Sequence, residues 1–469
     1  MAATFDDSHD GSQLHQLAVA LPQPVVVVGL GKSGFSCARF LVQRGVPVTV
    51  VDSRDEPPAL AALQSELPAV GLFTGTLDID AVHQAGTLII SPGVALSEPA
   101  IATAINCGAW VMGDVELFAL HAPAPLVAIT GSNGKSTVTT LLGEMIRKAG
   151  LTAELGGNLG TPALELLERS VPDYYVLELS SFQLETTHSL NASVATVLNV
   201  SADHMDRYDS LDCYTESKRA VFSGDGVQVI NSDDAAVRNM VIAGRNVIYF
   251  GMVTPASADH FGVRERAGVT WLAQGEQLLV RAAELPMPGQ HNIANALAAL
   301  ALGYGLGLPM AAMIDALATF SGLPHRTECV AECDGVVWYN DSKATNVGAA
   351  VAALEGIASP IVWIAGGEGK GADFTPLRQA AADKVRLAVL MGRDAELIAA
   401  ALAGVCAVIT VEDMAAAVDA AADTARAGDA VLLSPACASF DMYDGYAARG
   451  DDFRHCTKQR LAECQESRS

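Results

Sequence analysis

The sequence predicts an α/β protein of three domains, built from largely parallel sheets covered by helices. Short runs of Val, Ile and Leu alternate with alanine-rich helical segments along the chain, which is the pattern of α/β layers. Several of these apolar runs end in glycine-rich or polar turns that lead into a helix. The length of 469 residues is enough for two to four domains, each with its own core.

The first domain opens on Val25–Val28, an apolar run that predicts a buried strand. The G-x-G-x-x-G turn at Gly29–Gly34 leads into a predicted helix over Phe35–Arg44, and a second strand over Val46–Val51 ends at Asp52. Strand, turn, helix and a terminal acidic residue form a dinucleotide-binding fingerprint and indicate a Rossmann-like domain. A tight packing turn without a ligand is the alternative interpretation of these glycines.

The central domain begins with a phosphate-binding loop. The apolar strand Leu126–Ile129 runs into Thr130–Thr137, and a helical pattern of apolar residues follows. N–H groups at a helix start attract phosphate, Lys135 adds a cation for the outer phosphates, and Ser136 offers a hydroxyl to magnesium. The standard motif has glycine where this chain has Ile129, so the loop is a shortened variant. It predicts a parallel sheet of the type found in phosphate-loop ATPases.

Two further strands of the central domain end beside polar residues. Tyr174–Leu177 runs into Glu178, which is where phosphate-loop enzymes place an acid for magnesium. Val194–Val200 is followed closely by His204, which spacing alone leaves open as a metal ligand or a surface histidine. Spacing alone would make Lys218, on a predicted helix, a solvated lysine.

Other predicted strands also end in small, polar or basic residues. They cover Thr87–Ile90, Val336–Asn340, Ile361–Ile364 and Val431–Leu433. Asn292 and Asn295 lie one turn apart on a further predicted helix and share a face. Because ligands gather at the carboxyl ends of strands in open α/β sheets, ligand sites are expected at these strand ends.

The composition narrows the classes of partner. A formal charge of −24 argues against nucleic acid and against an anionic membrane surface. The most apolar region, Ala294–Ala318, is broken by Asn295, glycines and Pro309 and reads as core helices. Nine scattered cysteines favour a reduced intracellular protein and give no support to a zinc site. The polar segment 1–20 reads as a flexible extension and not as a signal peptide.

Seven segments together resemble the Mur ligases, which are ATP-dependent amide-forming ligases of peptidoglycan synthesis. In chain order they are AITGSNGKSTVTT, LELSSFQLE, NVSADHMDRY, MPGQHNIANALAA, GLPHR, NDSKATN and LLSPACASFD. The resemblance runs from about Val25 to about Phe453. Within the family the chain is most similar to the members that add D-glutamate to UDP-N-acetylmuramoyl-L-alanine.

The resemblance implies a domain order and a reaction. Segment 1–20 would precede a Rossmann-like domain for the UDP-linked substrate over 21–113, a central ATP-binding domain over 114–322, and a Rossmann-like domain for D-glutamate and ATP over 323–469. ATP, with Mg²⁺, would convert the substrate carboxylate to an acyl phosphate. The amine of D-glutamate would then attack, and a tetrahedral intermediate would collapse to the amide. A cytoplasmic monomer that neither binds nucleic acid nor enters a membrane is expected.

The resemblance also assigns roles to individual residues. Catalysis would involve Lys135, Glu178, His204 and Lys218, and magnesium would be held by Ser136, Glu178, His204 and Lys218, the last as a carbamate. ATP would be bound by Gly131, Ser132, Asn133, Gly134, Lys135, Ser136, Thr137, Asn292, Asn295, Arg326 and Asp341. The UDP-linked substrate would be bound by Gly31, Lys32, Ser33, Asp52, Ser53, Arg54, Gly93 and Asn158. D-Glutamate would be bound by Thr345, Lys370, Ser439, Phe440 and Tyr446.

Three other classes compete with this interpretation. An NAD-dependent oxidoreductase would use the first fingerprint but leaves the Gly134-Lys135-Ser136 loop unexplained. A regulatory nucleotide switch would be expected to carry an Asn-Lys-x-Asp guanine motif, which does not occur in the chain. Folylpolyglutamate synthase, a relative that shares the ATP loop, would not need a UDP-binding first domain.

Overall fold

The structure is a computed structural model that describes residues 21–287 and 289–466. Its strands form three sheets of five, nine and six strands, with helices between them. The predicted α/β class with three sheet-containing domains is therefore confirmed. The flexible extension expected over 1–20 lies outside the described residues.

The first sheet is parallel throughout. Its strands are β1 Val25–Val28, β2 Val48–Asp52, β3 Gly71–Thr74, β4 Thr87–Ile90 and β5 Trp110–Met112. The helices around it are α1 Lys32–Gln43, α2 Leu60–Glu66, α3 Asp80–His83, α4 Pro99–Asn106 and α5 Asp114–Ala119. The strand order is β3-β2-β1-β4-β5, so the connections reverse direction between β1 and β4. A crevice opens at the carboxyl ends of strands at such a point.

The turn after β1 packs tightly against its neighbours. Gly29 has a φ of 91°, and its carbonyl accepts a 2.7 Å hydrogen bond from Ser91 Oγ. A Cβ added to Gly34 would lie 1.8 Å from the Gly29 carbonyl oxygen, whereas a Cβ on Gly31 would meet nothing within 4 Å. Gly34 therefore permits the close approach of helix and strand, and Gly31 faces the open crevice.

The second sheet is mostly parallel. Its strands are β6 Leu126–Thr130, β7 Ala153–Gly157, β8 Tyr174–Glu178, β9 Val194–Val197, β10 Val227–Asn231, β11 Val247–Phe250, β12 His260–Arg266, β13 Val269–Gln274 and β14 Gln277–Arg281. The order is β14-β13-β12-β11-β10-β9-β6-β8-β7. Strand β13 pairs antiparallel with both of its neighbours, β12 and β14. Because β6 lies between β9 and β8, the phosphate loop leaves from the interior of the sheet, where both neighbouring strand ends are close.

Helices cover this second sheet. They are α6 Lys135–Lys148, α7 Ala163–Leu166, α8 Ser181–Leu184, α9 Leu211–Arg219, α10 Ala235–Arg238, α11 Gln290–Gly305 and α12 Met310–Thr319, with 3-10 turns at Ala220–Phe222 and Ala282–Glu284. Helix α6 packs against α11 and α12, and Leu141 and Leu297 are fully buried in that interface. Each such side chain contributes about 1.5–3 kcal/mol through burial. The prediction of core helices over Ala294–Ala318 is confirmed, with Pro309 at the start of α12.

The third sheet is parallel except for one edge strand. Its strands are β15 Glu328–Cys333, β16 Val336–Asn340, β17 Ile361–Gly366, β18 Val385–Met391, β19 Ala407–Thr410 and β20 Ala430–Leu433. The helices are α13 Val347–Gly356, α14 Leu377–Ala381, α15 Ala395–Ala401, α16 Met414–Thr424 and α17 Tyr446–Glu466. The order is β15-β16-β20-β17-β18-β19, with β15 antiparallel.

Several predicted boundaries were off by one or two residues, and two were wrong by three residues. The first helix begins at Lys32 and not at Phe35, because Gly31 is its N-terminal cap and the glycine motif itself supplies the first turn. The strand expected to reach Val200 ends at Val197. The next residues leave the sheet because they hold other segments: Asn199 bonds to the phosphate loop, and the Val200 N–H donates to Asp234 at 2.8 Å.

The first two sheets share a hydrophobic core, whereas the third does not join it. One cluster of buried side chains runs from Leu21 to Met240, and Phe118 of α5 meets Tyr175 of β8 edge to face at 5.1 Å. Among the described residues, the two clusters of the third sheet contain nothing before Val330. Within the same residues, no helix is both long enough and apolar enough for a membrane span.

A Gly34→Ala substitution should destabilise the first domain by about 3 kcal/mol or more, because its Cβ would strike the Gly29 carbonyl and backbone cannot yield as a side chain can. Gly31→Ala is the matched control, since the same methyl group meets open space there. Urea unfolding measures both, and equal shifts in the two variants would contradict this packing.

Candidate active site

Three adjacent cavities lie in the region of the phosphate loop, and two of them are lined by residues of the loop itself. The N-terminal cavity, of about 900 Å³, lies at the carboxyl ends of the first sheet and reaches Asn158 and Arg207 of the central domain. The central cavity, of about 490 Å³, is lined by the phosphate loop and by residues of the third domain. The α11 cavity, of about 310 Å³, lies between α11 and α13. Asn158 lines the first two cavities and Arg326 the last two, so the three cavities are adjacent.

The phosphate loop is held from the side by Asn199. The Asn133 N–H donates to Asn199 Oδ1 at 2.8 Å, and Asn199 Nδ2 donates back to the Asn133 carbonyl at 3.1 Å. Gly134 caps α6 with a φ of 85°, and a Cβ there would lie 2.4 Å from Asn295 Oδ1. This loop therefore needs glycine both for its backbone conformation and for the closeness of α11.

Two lysines converge on one loop carbonyl. Lys135 Nζ donates to the Gly131 and Ser132 carbonyls at 2.8 and 2.9 Å, and Lys218 Nζ donates to the Gly131 carbonyl at 3.1 Å. Lys218 is almost fully buried, and its ammonium lies 4.3 Å from the centre of the Tyr214 ring. Burial lowers the pKa of both lysines, and the neighbouring Lys135 lowers the pKa of Lys218 further.

A hydrogen-bonded chain crosses the central cavity. Ser136 Oγ donates to Glu178 Oε2 at 2.5 Å, and Asn158 Nδ2 donates to Glu178 Oε1 at 2.7 Å. Arg326 of the third domain donates to Ser136 Oγ at 2.6 Å. The helix start, the acid at the end of β8 and the third domain therefore meet at one hydroxyl group.

His204 lies on the opposite wall of the central cavity. Its backbone has a φ of 57°, and its Nε2 is 3.7 Å from Asp203 Oδ2. The Phe182 ring packs edge-on against the imidazole at 4.8 Å. Burial lowers the pKa of His204, which favours the neutral imidazole that a metal ligand requires.

The third domain reaches the loop through Asn346. Its Oδ1 caps α13 by accepting from the Ala349 N–H at 2.8 Å, and its Nδ2 donates to Asn133 Oδ1 at 3.3 Å and Asp203 Oδ2 at 3.0 Å. One amide group therefore joins the start of a third-domain helix to the phosphate loop and to the turn that carries His204.

Asp341 is buried at the end of β16, on the wall of the α11 cavity. It accepts hydrogen bonds from the Thr327 N–H at 3.1 Å and from Ser434 Oγ at 2.9 Å. Burial raises its pKa to about 7. Asn292, Asn295 and Arg326 line the same cavity.

The five residues assigned to D-glutamate all line the central cavity. They are Thr345, Lys370, Ser439, Phe440 and Tyr446. Lys370 is exposed with a φ of 52°, and Phe440 is 67% exposed. The structure thus brings these residues to the same cavity as the phosphate loop, although Ser439 is buried and the Tyr446 ring is already contacted by the Lys343 ammonium at 4.1 Å.

The residues assigned to the UDP-linked substrate all line the N-terminal cavity. They are Gly31, Lys32, Ser33, Asp52, Ser53, Arg54, Gly93 and Asn158. Asp52 is buried and accepts from the Leu30 N–H at 2.6 Å and from both the backbone and the guanidinium of Arg54. Burial raises the pKa of Asp52, but hydrogen bonds from Arg54 and Leu30 lower it more. Most of the hydrogen-bonding capacity of this carboxylate is therefore used within the protein.

Sequence reasoning missed several residues that line the same cavities. They are Asp203, Arg207, Tyr214, Lys343 and Asn346. Four of them lie inside the motifs NVSADHMDRY and NDSKATN, so the sequence already marked their segments as part of the site. Their roles depend on contacts between distant segments, which spacing does not show.

Comparison with known protein families gives three matches in chain order. The Mur ligase MurD-like N-terminal domain matches residues 23–113, the Mur ligase middle domain residues 129–303, and the Mur ligase glutamate ligase domain residues 325–437. This chain belongs to the Mur ligase family. The ligase resemblance seen in the sequence is confirmed, and the family uses ATP.

This Mur ligase is similar over nearly its whole length to curated relatives named UDP-N-acetylmuramoylalanine--D-glutamate ligase. The relative from Nitrosococcus oceani is 55% identical over 93% of this chain and 97% of its own. The relative from Pseudomonas putida is 52% identical over 92% and 96%, and that from Pseudomonas aeruginosa 50% identical over 92% and 97%. The matched regions extend through all three domains.

Solved structures support the fold of this Mur ligase. MurF ligase from Thermotoga maritima, in complex with ADP, has a TM-score of 0.59 at 16% identity and covers 95% of this chain and 97% of its own. A pseudomurein peptide ligase type C from Methanothermus fervidus has a TM-score of 0.57 at 19% identity, with coverage of 93% and 99%. At such identities the likeness concerns the three-domain fold.

ADP binding at pH 9 should be accompanied by proton uptake at Lys343. Lys343 lines both the central and the α11 cavities, and burial lowers its pKa to about 8. It is largely neutral at pH 9, and a bound phosphate favours the ammonium form and raises the pKa again. Calorimetry in buffers of different ionisation enthalpy measures this uptake. Lys343→Met should remove most of it, and an unchanged uptake in that variant would contradict the assignment.

Asn346→Ala should speed ADP dissociation about tenfold, because two hydrogen bonds that join the third domain to the phosphate loop and to the His204 turn are lost at roughly 0.5–1.5 kcal/mol each. Asp413→Ala is the matched control, since Asp413 caps α16 with an equivalent bond to the Ala416 N–H. The control should lower stability by about 1 kcal/mol and leave ADP dissociation unchanged. Stopped-flow displacement of a fluorescent ADP measures the dissociation rate from each variant. Equal rates for Asn346→Ala and the unaltered protein would refute the domain contact.

Proposed function

We propose that this protein joins D-glutamate to UDP-N-acetylmuramoyl-L-alanine and converts ATP to ADP and phosphate. The identity of 50–55% to relatives that carry the name of this ligase supports the substrate pair. The observation that carries the proposal is the central cavity, which brings the phosphate loop, Glu178, His204 and the third-domain Lys370 together. This is the arrangement that a ligase with three substrates requires.

The chemistry follows from the groups to be joined. A carboxylate is a poor acylating agent, so the L-alanine carboxylate attacks the γ-phosphorus of ATP, ADP leaves, and an acyl phosphate forms. The amine of D-glutamate attacks this carbonyl and loses a proton, and the tetrahedral intermediate expels phosphate to leave the amide. Both steps bring anions together, so the protein contributes positioning and positive charge rather than covalent help.

Lys135 is proposed as the cation of the transfer step. Its ammonium folds back onto the Gly131 and Ser132 carbonyls, from which it can turn to the γ-phosphate. Arg326 already contacts the Ser136 hydroxyl and would neutralise charge on the same phosphates. The backbone from Gly131 to Thr137 would cradle the β-phosphate at the start of α6.

The first magnesium position fits the residues present. A hydroxyl and a carboxylate oxygen lie 2.5 Å apart at Ser136 and Glu178, and Mg²⁺ prefers such hard oxygen ligands, usually in combination with phosphates and water. A metal bound there would neutralise charge on the transferring phosphoryl group. Among the described residues no three His, Cys, Asp or Glu side chains form a metal cluster, so the remaining ligands would come from the substrates.

The second magnesium position would use His204 and Lys218, the latter as a carbamate. Lys218 fits this chemistry because it is buried beside another lysine and lies close to the loop. A neutral amine adds to CO₂ with loss of a proton and becomes an anionic oxygen ligand. The Lys218 ammonium would first lose a proton, and the modification would then leave an anion where one of the two lysine cations stood at the Gly131 carbonyl.

The α11 cavity is proposed to hold the nucleoside part of ATP. Asn292 and Asn295 present amides from one face of α11, and Asp341 would bond to the ribose. Its opposite wall is formed by small residues of α13, including Gly348, Ala349 and Ala353, which leave room for a flat base. ATP bound here would therefore contact both the central and the third domain.

D-Glutamate is proposed to bind on the third-domain wall of the central cavity. Its two carboxylates need a cation and hydroxyl donors, which Lys370, Thr345 and Ser439 offer. Phe440 and Tyr446 would border its aliphatic part. The amine would then face the phosphate loop across the cavity.

The N-terminal cavity is proposed to anchor the UDP part of the substrate. The start of α1, with Gly31, Lys32 and Ser33, would meet the diphosphate, while Ser53 and Arg54 would border the uridine. Asn158 lines both this cavity and the central one, and would guide the L-alanine end toward Glu178. Gly93 would line the path of the sugar.

The domain limits 21–113, 114–322 and 323–469, a monomeric state and a cytoplasmic location are part of this proposal. An NAD-dependent oxidoreductase remains the contrasting class. Titration with NADH and with UDP separates the two, because only UDP should bind.

Phosphate release should require UDP-N-acetylmuramoyl-L-alanine, D-glutamate, ATP and Mg²⁺ together. Omission of any one should reduce it to background in a coupled phosphate assay. Equal turnover with L-lysine or diaminopimelate in place of D-glutamate would rule out the proposed acceptor.

Lys370→Ala should raise the KM for D-glutamate tenfold or more, because a charge-assisted hydrogen bond is worth about 1.5–3 kcal/mol, and should leave the KM for ATP nearly unchanged. Lys458→Ala, on the exposed face of α17, is the matched control and should alter neither. Steady-state kinetics with each substrate varied in turn decides this, and a uniform rise in both constants would count against the assignment.

A further inference from the structure

Arg207 crosses the boundary between the central and the first domain. It follows β9 in the chain, and its side chain is only 14% exposed. Nη1 donates to the Pro92 carbonyl at 3.1 Å, and Nη2 donates to the Val94 carbonyl at 3.1 Å. These carbonyls flank Gly93 in the turn after β4, so one planar guanidinium donates hydrogen bonds to both sides of that turn.

The charge of Arg207 is already paired within the protein. Nη2 lies 2.8 Å from Glu185 Oε2, and the Glu185 side chain is only 17% exposed. The guanidinium lies 4.4 Å from the centre of the Phe182 ring. An arginine with a largely buried carboxylate partner and two carbonyl acceptors is better suited to hold segments of the protein in place than to act as a counter-ion for substrate phosphates.

The turn that carries Arg207 also carries His204. The Arg207 N–H donates to the His204 carbonyl at 2.9 Å, and Phe182 contacts both side chains, one through its face and the other through its edge. The guanidinium therefore links the Gly93 turn of the N-terminal cavity to the His204 turn of the central cavity. The link between the two turns is direct, because it passes through the single residue Arg207.

We propose that Arg207 is a positioning residue that sets the distance between the anchored UDP end of the substrate and the centre where its carboxylate reacts. It does so by clamping the Pro92–Val94 turn of the first domain to the His204 turn. The inference rests on the proposed ligase function, because a substrate must span both cavities for the clamp to matter. A displacement of about 1 Å at a reacting group costs up to a hundredfold in rate.

The test compares Arg207→Met, Arg207→Lys and Arg147→Met with the unaltered protein. Arg207→Met should lower kcat 10- to 100-fold, while the dissociation constants of UDP alone and of ADP change less than twofold. Arg207→Lys should recover part of kcat, since an ammonium can reach some of the acceptors. Arg147, in an exposed ion pair with Glu144 on α6, is the matched control and should keep full activity.

Hydrogen exchange gives a readout that does not depend on turnover. The Val94 amide donates to the Ser91 carbonyl at 2.9 Å within the clamped turn. Its exchange should be at least tenfold faster in Arg207→Met and unchanged in Arg147→Met. A merely structural arginine would instead weaken UDP and ADP binding together with kcat.

Two results would overturn the inference: an unchanged kcat in Arg207→Met, or a parallel loss of UDP affinity, ADP affinity and kcat. Failure of the proposed function would look different, because the unaltered protein and Arg147→Met would then be inactive as well. In that case the Val94 exchange rate decides, and equal rates in the two arginine variants would refute the clamp.

Discussion

Crowding of positive charge around one carbonyl group constrains the whole site. Lys135 and Lys218 both donate to the Gly131 carbonyl, and Arg326 approaches the same helix start through Ser136. Burial lowers the pKa of both lysines; repulsion from Arg326 lowers the pKa of Lys135 further, and repulsion from Lys135 lowers that of Lys218. In a chain of net charge −24, this local concentration of basic side chains would favour the binding of polyanionic ligands. An anion entering the loop would stabilise the charged forms of the lysines and raise their pKa values again.

The parts of the structure that depend on local pattern could be predicted from the sequence. The strands leading to the glycine turns, the phosphate loop and the alanine-rich helices follow from periodicity and from backbone needs at particular glycines, as Gly34 shows. The family motifs then located the walls of the cavities, because residues at the carboxyl ends of parallel strands must meet at one edge. The loop shortened at Ile129 still starts a helix, since the N–H groups and Lys135 are all present.

The contacts between domains could not be predicted in this way. Asn346 reads as an ordinary helix cap, and Arg207 as a charged residue of a turn; their second partners lie more than a hundred residues away. Asn199 was assigned to a strand, but it leaves the sheet because its amide holds the loop. Asp52 lines the N-terminal cavity as expected, but its hydrogen bonds to Arg54 and Leu30 were not visible in the pattern. For Asn346, Arg207 and Asn199, a partner distant in the chain decides the position of the side chain.

The distribution of hydrophobic cores has a consequence for cooperativity. The first two sheets are joined by one continuous cluster, whereas among the described residues the third sheet meets them without a shared cluster and through polar groups such as Asn346 and Arg326. The first two sheets therefore form one hydrophobic unit, and the central cavity is lined by residues of this unit and of the third domain. Hydrogen bonds between the two parts can be exchanged for water at little net cost, so a movement of the third sheet away from the other two would leave the hydrophobic clusters on both sides intact.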